Sequence, residues 1–381
     1  MPDDFDVLIC GAGPAGLTTA LALGSSALRV GLIEKESSPG SKVCGDAIPP
    51  YVPKVLNTIN QVFSRAFENL NQVLRVDTCR IFGPKGTVLD LKYQESGYMC
   101  KRIYFDTFLY EQVCQLQNVR LITGTKVKDV AIRTEHAEIH TTNDLILRSK
   151  LVIGCDGAHS ISGRKLAGLK PDLKHCSSAV RTYFTNVSGI MPGSFEMHFI
   201  TDYLPGYFWI FPLEGNQANV GLGMPSNIVI RQRINLKDEL LKIVRSDSFK
   251  ERFSDARISG EIKGYLLPLG SHKIPISGNR YMLCGDAASL IDPATGGGIG
   301  QAMVSGRFAG WQAVKCFDAG NFSAEFMKSY DRNVYKKLWK ENRNRRFIRD
   351  FIVRNSGILE SVIQLGSKNR FLRNTMIKFL S

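Results

Sequence analysis

The chain has 381 residues, with 49 Lys and Arg against 35 Asp and Glu and a formal net charge of +14 at pH 7. Its 44% hydrophobic and 22% charged content is that of a globular chain able to bury a core, which excludes collagen-like, low-complexity and disordered classes. No stretch of about 18 uncharged apolar residues is present, which excludes a membrane-spanning helix, and nine scattered cysteines without a CxxC pair indicate neither a disulfide framework nor a zinc or other metal site.

The chain opens on acids, Asp3, Asp4 and Asp6, so no signal peptide is expected. Phe5-Asp6-Val7-Leu8-Ile9-Cys10 then reads as a buried parallel strand, Gly11-Ala12-Gly13-Pro14-Ala15-Gly16 as a turn, and residues 17–23 as a helix. A second apolar run, Val30-Gly31-Leu32-Ile33, ends at Glu34. Strand, glycine turn, helix, strand and acid together form a dinucleotide-binding unit, and that context argues against an accidental glycine loop. Gly11 allows the tight turn, Gly13 the approach of a pyrophosphate, and Gly16 close packing of helix on strand. The pyrophosphate would sit on unpaired N–H groups at the helix N-terminus, and Glu34 would accept from ribose hydroxyls. The expected contacts here are Gly11, Gly13, Ala15, Gly16, Glu34 and Lys35.

Lys42-Val43-Cys44-Gly45-Asp46 follows as a loop, and short strands are expected near residues 76–92. Strand-like runs recur at Val119-Arg120-Leu121-Ile122 and Leu151-Val152-Ile153-Gly154-Cys155. The second of these turns sharply at Asp156-Gly157, which by itself reads equally well as a plain turn. Period-two alternation over 179–184, 195–200, 207–211 and 218–222 marks an antiparallel sheet. Tyr207, Trp209 and Phe211 would share one face of it, as the wall of a groove or simply as core. Tyr281-Met282-Leu283-Cys284 precedes Gly285-Asp286-Ala287-Ala288 and the glycine-rich run Gly296-Gly297-Gly298-Ile299-Gly300, which puts bare N–H groups at a second helix N-terminus. Residues 323–381 read as helical and carry fourteen Lys and Arg against five Asp and Glu. There Phe347, Ile348, Phe351, Ile352 and Val353 recur at helical spacing, a basic amphipathic pattern that suits an anionic membrane surface or a solvated helix packed on the domain.

The expected fold is therefore α/β. A Rossmann-type domain over 1–75, 100–175 and 265–320 is interrupted by an antiparallel β-sheet substrate domain over 76–99 and 176–264, with a basic helical segment over 321–381. The three glycine-acid motifs together resemble the FAD-dependent family that includes aromatic hydroxylases, flavin halogenases and geranylgeranyl reductases. The resemblance spans about residues 1–320. It implies that the first motif holds the ADP part of FAD, that Asp156 and Gly157 line its pyrophosphate, that Gly285 and Asp286 meet ribityl or ribose hydroxyls, and that Gly297, Gly298 and Ile299 approach the flavin ring. It also sets Arg102 near FAD, with an acid, Asp106, at the start of a helix.

Two segments are similar to geranylgeranyl reductases in particular. One is Lys42-Val43-Cys44-Gly45, where Asp46 stands in place of the family's second glycine. The other is Pro205-Gly206-Tyr207-Phe208-Trp209-Ile210-Phe211-Pro212 with Asn219-Val220-Gly221-Leu222-Gly223. The resemblance implies an FAD-dependent oxidoreductase that reduces carbon–carbon double bonds of a prenyl lipid. Cys44, Tyr207 and Trp209 would lie at the substrate, Cys44 and Gly45 beside the flavin, and Tyr207, Cys44 or a water would give the proton. The same likeness also admits a flavin monooxygenase or halogenase acting on an aromatic substrate, and a flavin-bound carrier is a third reading. NAD(P)H or ferredoxin is the expected electron donor. A hydrophobic substrate, the cytoplasm with possible contact at the inner face of the membrane, and no nucleic-acid partner complete the expectation.

Overall fold

The computed structural model describes residues 4–40 and 42–380. Asp3 of the acidic start lies outside the described residues, as does the side chain of Val353.

Two sheets organise the molecule. In the first, the strand Asp4–Cys10 lies centrally, flanked in parallel by Val30–Ile33 on one side and Ile146–Gly154 on the other. Val119–Ile122 and Tyr281–Leu283 extend the parallel sheet outward. Val7 to Cys10 are buried without alternation because both faces of the sheet are covered. Val7 and Ile9 join the core beneath the helices Pro14–Leu23, Arg102–Cys114 and Ile299–Asp318. Leu8 and Cys10 face the hairpin Val127–Ile132 and Ala137–Thr141. The cover on that second face is thus β-structure, where a doubly wound fold would place helices.

The glycine turn explains how the first helix sits. A Cβ on Gly16 would lie 1.9 Å from the Gly11 carbonyl oxygen, and Gly11 itself has φ +100°. All ten residues of Pro14–Leu23 are buried, so this helix is a core element wedged between the sheet and the helix Ile299–Asp318.

The second sheet has eight strands in the order Arg257–Pro268, Cys176–Thr185, Gln217–Pro225, Tyr207–Leu213, Ser194–His198, Leu74–Phe82, Val88–Met99 and Ala47–Ile48. It is antiparallel except where Ser194–His198 runs parallel to Leu74–Phe82. Its alternation separates two faces. Phe208, Ile210, Val220 and Leu222 pack under the helix Leu236–Arg245, whereas Trp209 and Phe211 meet Val76 and Met99 on the other side, with Tyr207 against them.

The basic C-terminal region begins with the 31-residue helix Ala324–Arg354. Met327, Tyr330, Val334 and Leu338 form a buried stripe that joins the core of the first sheet. The Tyr330 hydroxyl donates to the Leu283 carbonyl at 2.6 Å, and the Asp331 carboxylate accepts from the Ile276 N–H at 3.1 Å. This part of the segment is integral to the first layer, because its cations occupy the outer side and leave an inner apolar stripe. Among the described residues no helix is long and apolar enough to cross a membrane.

Candidate active site

The two glycine motifs converge on one groove. A Cβ on Gly11 would stand 2.5 Å from the Cys155 carbonyl oxygen, whereas Gly13 has no atom within 4 Å of that position and faces open space. Ala15, in the same turn, is buried in the first helix. One Glu34 carboxylate oxygen accepts from the Ala12 N–H at 2.7 Å and the other from the Glu36 N–H at 3.1 Å. The carboxylate is thereby fixed at the strand end. Lys35 beside it is exposed and pairs with Glu36 at 3.3 Å. At the second motif, the Asp286 carboxylate accepts from Lys42 Nζ at 2.7 Å. Burial opposes the Lys42 charge, but Asp286 outweighs it and holds the ammonium above its ordinary pKa. Gly298 caps the 20-residue helix Ile299–Asp318 with no side-chain cap of its own, so the first N–H groups stay bare. Gly285 has φ +58° and receives the Ser305 hydroxyl as an acceptor for its N–H at 3.0 Å.

The Asp156 side chain has a structural task of its own. Its carboxylate accepts from the N–H groups of Ile161 at 2.8 Å and Ser162 at 2.9 Å, and from the Ser160 hydroxyl. It thus closes the N-terminus of the helix Ile161–Ala167. Gly157 is the part of that motif nearest the groove, with a Cβ position 3.2 Å from the Tyr265 hydroxyl and 3.8 Å from Lys42 Nζ.

Residues fit FAD in this groove on three counts: open space at Gly13, bare helix N-termini behind Gly13 and Gly298, and the fixed carboxylates of Glu34 and Asp286. Pro14, Lys42, Cys44, Gly45, Arg102, Asp286, Gly298 and Ile299 line one cavity, together with Ala179, Arg181 and Tyr265 from the second sheet.

The Cys44 loop is held with unusual completeness. Asp46 has φ +64°, the left-handed region in which glycine is easiest and Asp is among the best-tolerated alternatives. A glycine would suit this position, and Asp can hold it. The Asp46 carboxylate is buried, accepting from the Arg102 N–H at 3.1 Å and from Asn219 Nδ2 at 2.8 Å. Burial nevertheless leaves its pKa above the ordinary carboxylate value, against the pull of Asn219 and Arg181. The Cys44 sulfur accepts from the Asp46 N–H at 3.3 Å. Burial pushes the thiol up while the neighbouring Arg102 acts the other way. Arg102 itself is bound through two hydrogen bonds to Asp106, at 2.8 and 2.6 Å, both side chains being buried.

Asn219 is the residue that sequence reading undervalued. It donates to the Cys44 carbonyl at 2.7 Å as well as to Asp46, and accepts from Trp209 Nε1 at 2.9 Å. Trp209 therefore reaches the site through Asn219. The Trp209 indole lies over Gly221, its cross-strand neighbour, where a Cβ would meet the ring carbon Cζ2 at 2.1 Å. These two contacts account for the paired tryptophan and Asn-x-Gly patterns. Gly221→Ala is expected to expel the indole and lower stability by about 1–3 kcal/mol. Thermal unfolding and tryptophan emission measure this; an unchanged melting temperature with unchanged emission would contradict the packing.

The Tyr207 hydroxyl donates to the Thr295 carbonyl at 2.5 Å, and burial raises its pKa. Its proton is engaged with the glycine loop, so Tyr207 braces the sheet against that loop. The loop has a second support. One oxygen of the buried Asp292 accepts from the Ala294 N–H at 2.8 Å and the Thr295 N–H at 3.2 Å, and the other takes the Arg345 guanidinium. Arg345 comes from the C-terminal helix, and no local motif marks it.

The FAD binding domain family model matches residues 4–340. The digeranylgeranylglycerophospholipid reductase of Methanosarcina acetivorans is 31% identical, over 93% of this chain and 85% of that protein. The protein of the same name from Thermoplasma acidophilum is 30% identical, over 92% and 87%. Among solved structures, a geranylgeranyl bacteriochlorophyll reductase-like protein from T. acidophilum superposes with a TM-score of 0.86 at 26% identity, covering 97% of this chain and 93% of that one. The flavin-dependent halogenase CmlS shares the fold, with a TM-score of 0.75 at 19% identity, covering 90% and 63%. With its glycine turns, helix N-termini and Cys44 loop set as described, the chain belongs to the geranylgeranyl reductase family of FAD-dependent oxidoreductases.

Proposed function

We propose that this enzyme saturates carbon–carbon double bonds of an isoprenoid lipid. The observation that carries the reading is the chain of hydrogen bonds from Trp209 through Asn219 to Cys44 and Asp46, which ties an aromatic sheet face to a thiol loop lining the cofactor cavity. The names of the reductases similar to this chain support it.

In this reading Gly11, Gly13, Ala15 and Gly16 carry the pyrophosphate region, Glu34 and Lys35 the adenosine end, and Gly157, Gly285 and Asp286 the linking hydroxyls. Gly297, Gly298 and Ile299 would lie at the ring, the N–H of Gly297 held by the Thr295 hydroxyl at 3.2 Å, with Arg102 fixed beside Cys44 and Gly45. Residues 1–75, 100–175 and 265–320 serve the cofactor and 76–99 with 176–264 the substrate. When bound and reduced, FAD supplies the hydride for one alkene carbon. The other carbon takes a proton, and Cys44, whose thiol burial keeps protonated, stands in the cavity to deliver or relay it. The helix dipole behind Gly298 would stabilise negative charge on a cofactor held there. The Trp209–Phe211 face, packed on Val76 and Met99, stiffens the sheet behind the Cys44 loop.

The test is anaerobic. Chemically reduced holoenzyme is mixed with geranylgeranyl lipids and the products are weighed by mass spectrometry. Saturated product with flavin reoxidation is expected; absence of saturation, with oxygen consumption on readmitting air in the presence of an aromatic substrate, would overturn the reading.

The same reading places the enzyme in the cytoplasm, at an anionic membrane face. Phe347 and Phe351, one turn apart, are 75% and 44% exposed, and Phe371 is 78% exposed, while Lys336, Lys337, Lys340, Lys368 and Arg370 are exposed around them in sequence. Apolar and cationic groups together favour anionic lipid. Sedimentation with phosphatidylglycerol vesicles at low salt is expected to carry the protein down, and Phe347→Ser with Phe371→Ser is expected to weaken this about tenfold. Equal partition to zwitterionic vesicles would contradict it.

A further inference from the structure

Two histidines meet where the two sheets and the C-terminal helix join, outside the cavity of Cys44. His175 ends the short turn that leads into the strand Cys176–Thr185. His272 lies in the loop that leaves the strand Arg257–Pro268. Their ring centroids are 4.2 Å apart, with the planes inclined by 44°. Both rings line a second cleft of about 110 Å³.

The three residues before His272 each hold a different element. The Leu269 N–H donates to the His175 carbonyl at 2.9 Å, and the Gly270 N–H to the Ile291 carbonyl at 2.6 Å. The Ser271 carbonyl accepts from Arg346 Nη1 of the helix Ala324–Arg354 at 2.7 Å. Ile291 precedes Asp292, whose carboxylate sets the backbone of Ala294 and Thr295 ahead of Gly297 and Gly298. One short run of backbone thus ties His272 to the second sheet, to the glycine loop and to the C-terminal helix.

The pair suits neutral rings. His175 Nδ1 lies 2.6 Å from the Ser271 hydroxyl oxygen, whereas His272 Nδ1 is buried with no hydrogen-bond partner among the described residues. A neutral imidazole can leave that nitrogen without a hydrogen, but an imidazolium carries an N–H on both nitrogens. The extra N–H would be buried without an acceptor. The surrounding charge acts in the same direction. On the C-terminal helix, Arg346 and Arg349 share the single carboxylate of Asp350. His159, Arg164 and Lys170 line the same cleft. Of the acids there, Asp172 is 4.0 Å from His175 Nε2 but 56% exposed, and Asp286 is already paired with Lys42. Burial first, then His272, Arg346 and Arg349, hold His175 below its ordinary pKa against the pull of Asp172.

We propose that His175 and His272 form a pH-sensitive clasp, which holds the glycine loop in place while both rings are neutral and loosens it when the pair takes up a proton. A histidine whose folded pKa is depressed stabilises the fold above its ordinary value of 6.5, and that contribution is lost as pH falls through the lower folded value. A charge on either ring repels the other ring and the two guanidinium groups. His272 then shifts, Leu269 to Ser271 move with it, and the Asp292 loop loses a support. The device acts on FAD retention and is independent of the lipid substrate.

FAD release from the oxidised holoenzyme tests this. Release into a filtrate is followed at about pH 8 and about pH 5, on either side of the ordinary histidine range. The wild-type protein is expected to lose FAD about tenfold faster at the lower pH. His272→Phe, which keeps a ring against His175 but takes no charge, is expected to remove most of that difference, and so is His175→Gln. His198, also held below its ordinary pKa, is intact in both variants and serves as the internal control. Proton NMR supplies a second readout: His175 is expected to titrate below its ordinary value in the wild-type protein and to move up towards it in His272→Phe. Equal release at the two pH values in the wild-type protein would overturn the proposal. So would a pH difference that survives both substitutions, or a His175 titration unmoved by His272→Phe. Faster release at both pH values with an unchanged ratio would make the pair a plain structural contact and overturn it as well.

Discussion

Replacing Asn219 with leucine is expected to abolish most turnover while leaving FAD in place. The leucine cannot donate to the Cys44 carbonyl or the Asp46 carboxylate, nor accept from Trp209 Nε1; Asp46 and Trp209 are buried and Cys44 is half-buried. Each unsatisfied group costs about 1–3 kcal/mol, so a loss on the order of 3–6 kcal/mol is expected in denaturant unfolding. Displacing the Cys44 loop by even about 1 Å lowers a positioned reaction roughly 100-fold, and a fall of at least that size is expected in the rate of alkene saturation. The deficit also depends on pH. Asp46 is a carboxyl whose folded pKa already lies above its usual value of 3.8, because burial disfavours its charge. Such a group contributes most below the ordinary carboxylate range, and its contribution is lost as pH rises through the folded pKa. Removing the Asn219 donor raises that pKa further, so the destabilisation of Asn219→Leu should be larger at pH 8 than at pH 4. A pH-independent deficit, or wild-type turnover, would refute the coupling of Trp209 to the Cys44 loop.

Arg345→Met is the second large effect, and it acts from the C-terminal helix. Asp292 is 2% exposed. Its carboxylate ties the backbone of Ala294 and Thr295 while Arg345 neutralises it from behind. Stripping one partner from a buried pair costs about 3–5 kcal/mol, because the remaining charge is left uncompensated. The loop that leads to Gly297 and Gly298 loses its anchor, so FAD affinity is expected to fall about 10- to 100-fold by flavin release into a filtrate. Asp292→Asn in the same background should restore part of the affinity, since it removes the stranded charge. Failure of Arg345→Met to change FAD retention would show that the loop is held by Tyr207 and the Asp292 backbone contacts alone.

The glycine turn and the acid that follows it were legible because their requirements are local. Gly11, Gly13 and Gly16 are dictated by contacts within one turn and its strand, and Glu34 by the next strand end, so spacing along the chain carries them. The alternation through Tyr207, Trp209 and Phe211 was legible for the same reason, since a strand fixes which side chains share a face. The capping role of the Asp156 carboxylate was not legible in the sequence. An acid beside a glycine at a strand end serves a cofactor or a following helix equally well in sequence, and only the positions of the Ile161 and Ser162 N–H groups show which. The Tyr207 hydrogen bond was not legible for a related reason: its partner is the Thr295 carbonyl, 88 residues away.

By itself the sequence determined the α/β class, the FAD turn, the family and the aromatic face, all of which follow from periodicity and short-range spacing. The tertiary structure decided what those parts do to one another. It made Asn219 the link between Trp209 and Cys44, drew the basic C-terminal helix into the first core, and set Arg345 behind the flavin loop. It also left Nε and Nη2 of the buried Arg181 without a hydrogen-bond partner among the described residues. These relations join residues tens to hundreds of positions apart, and burial fixes their energies; neither distance in space nor exclusion of water is written in a chain until it folds.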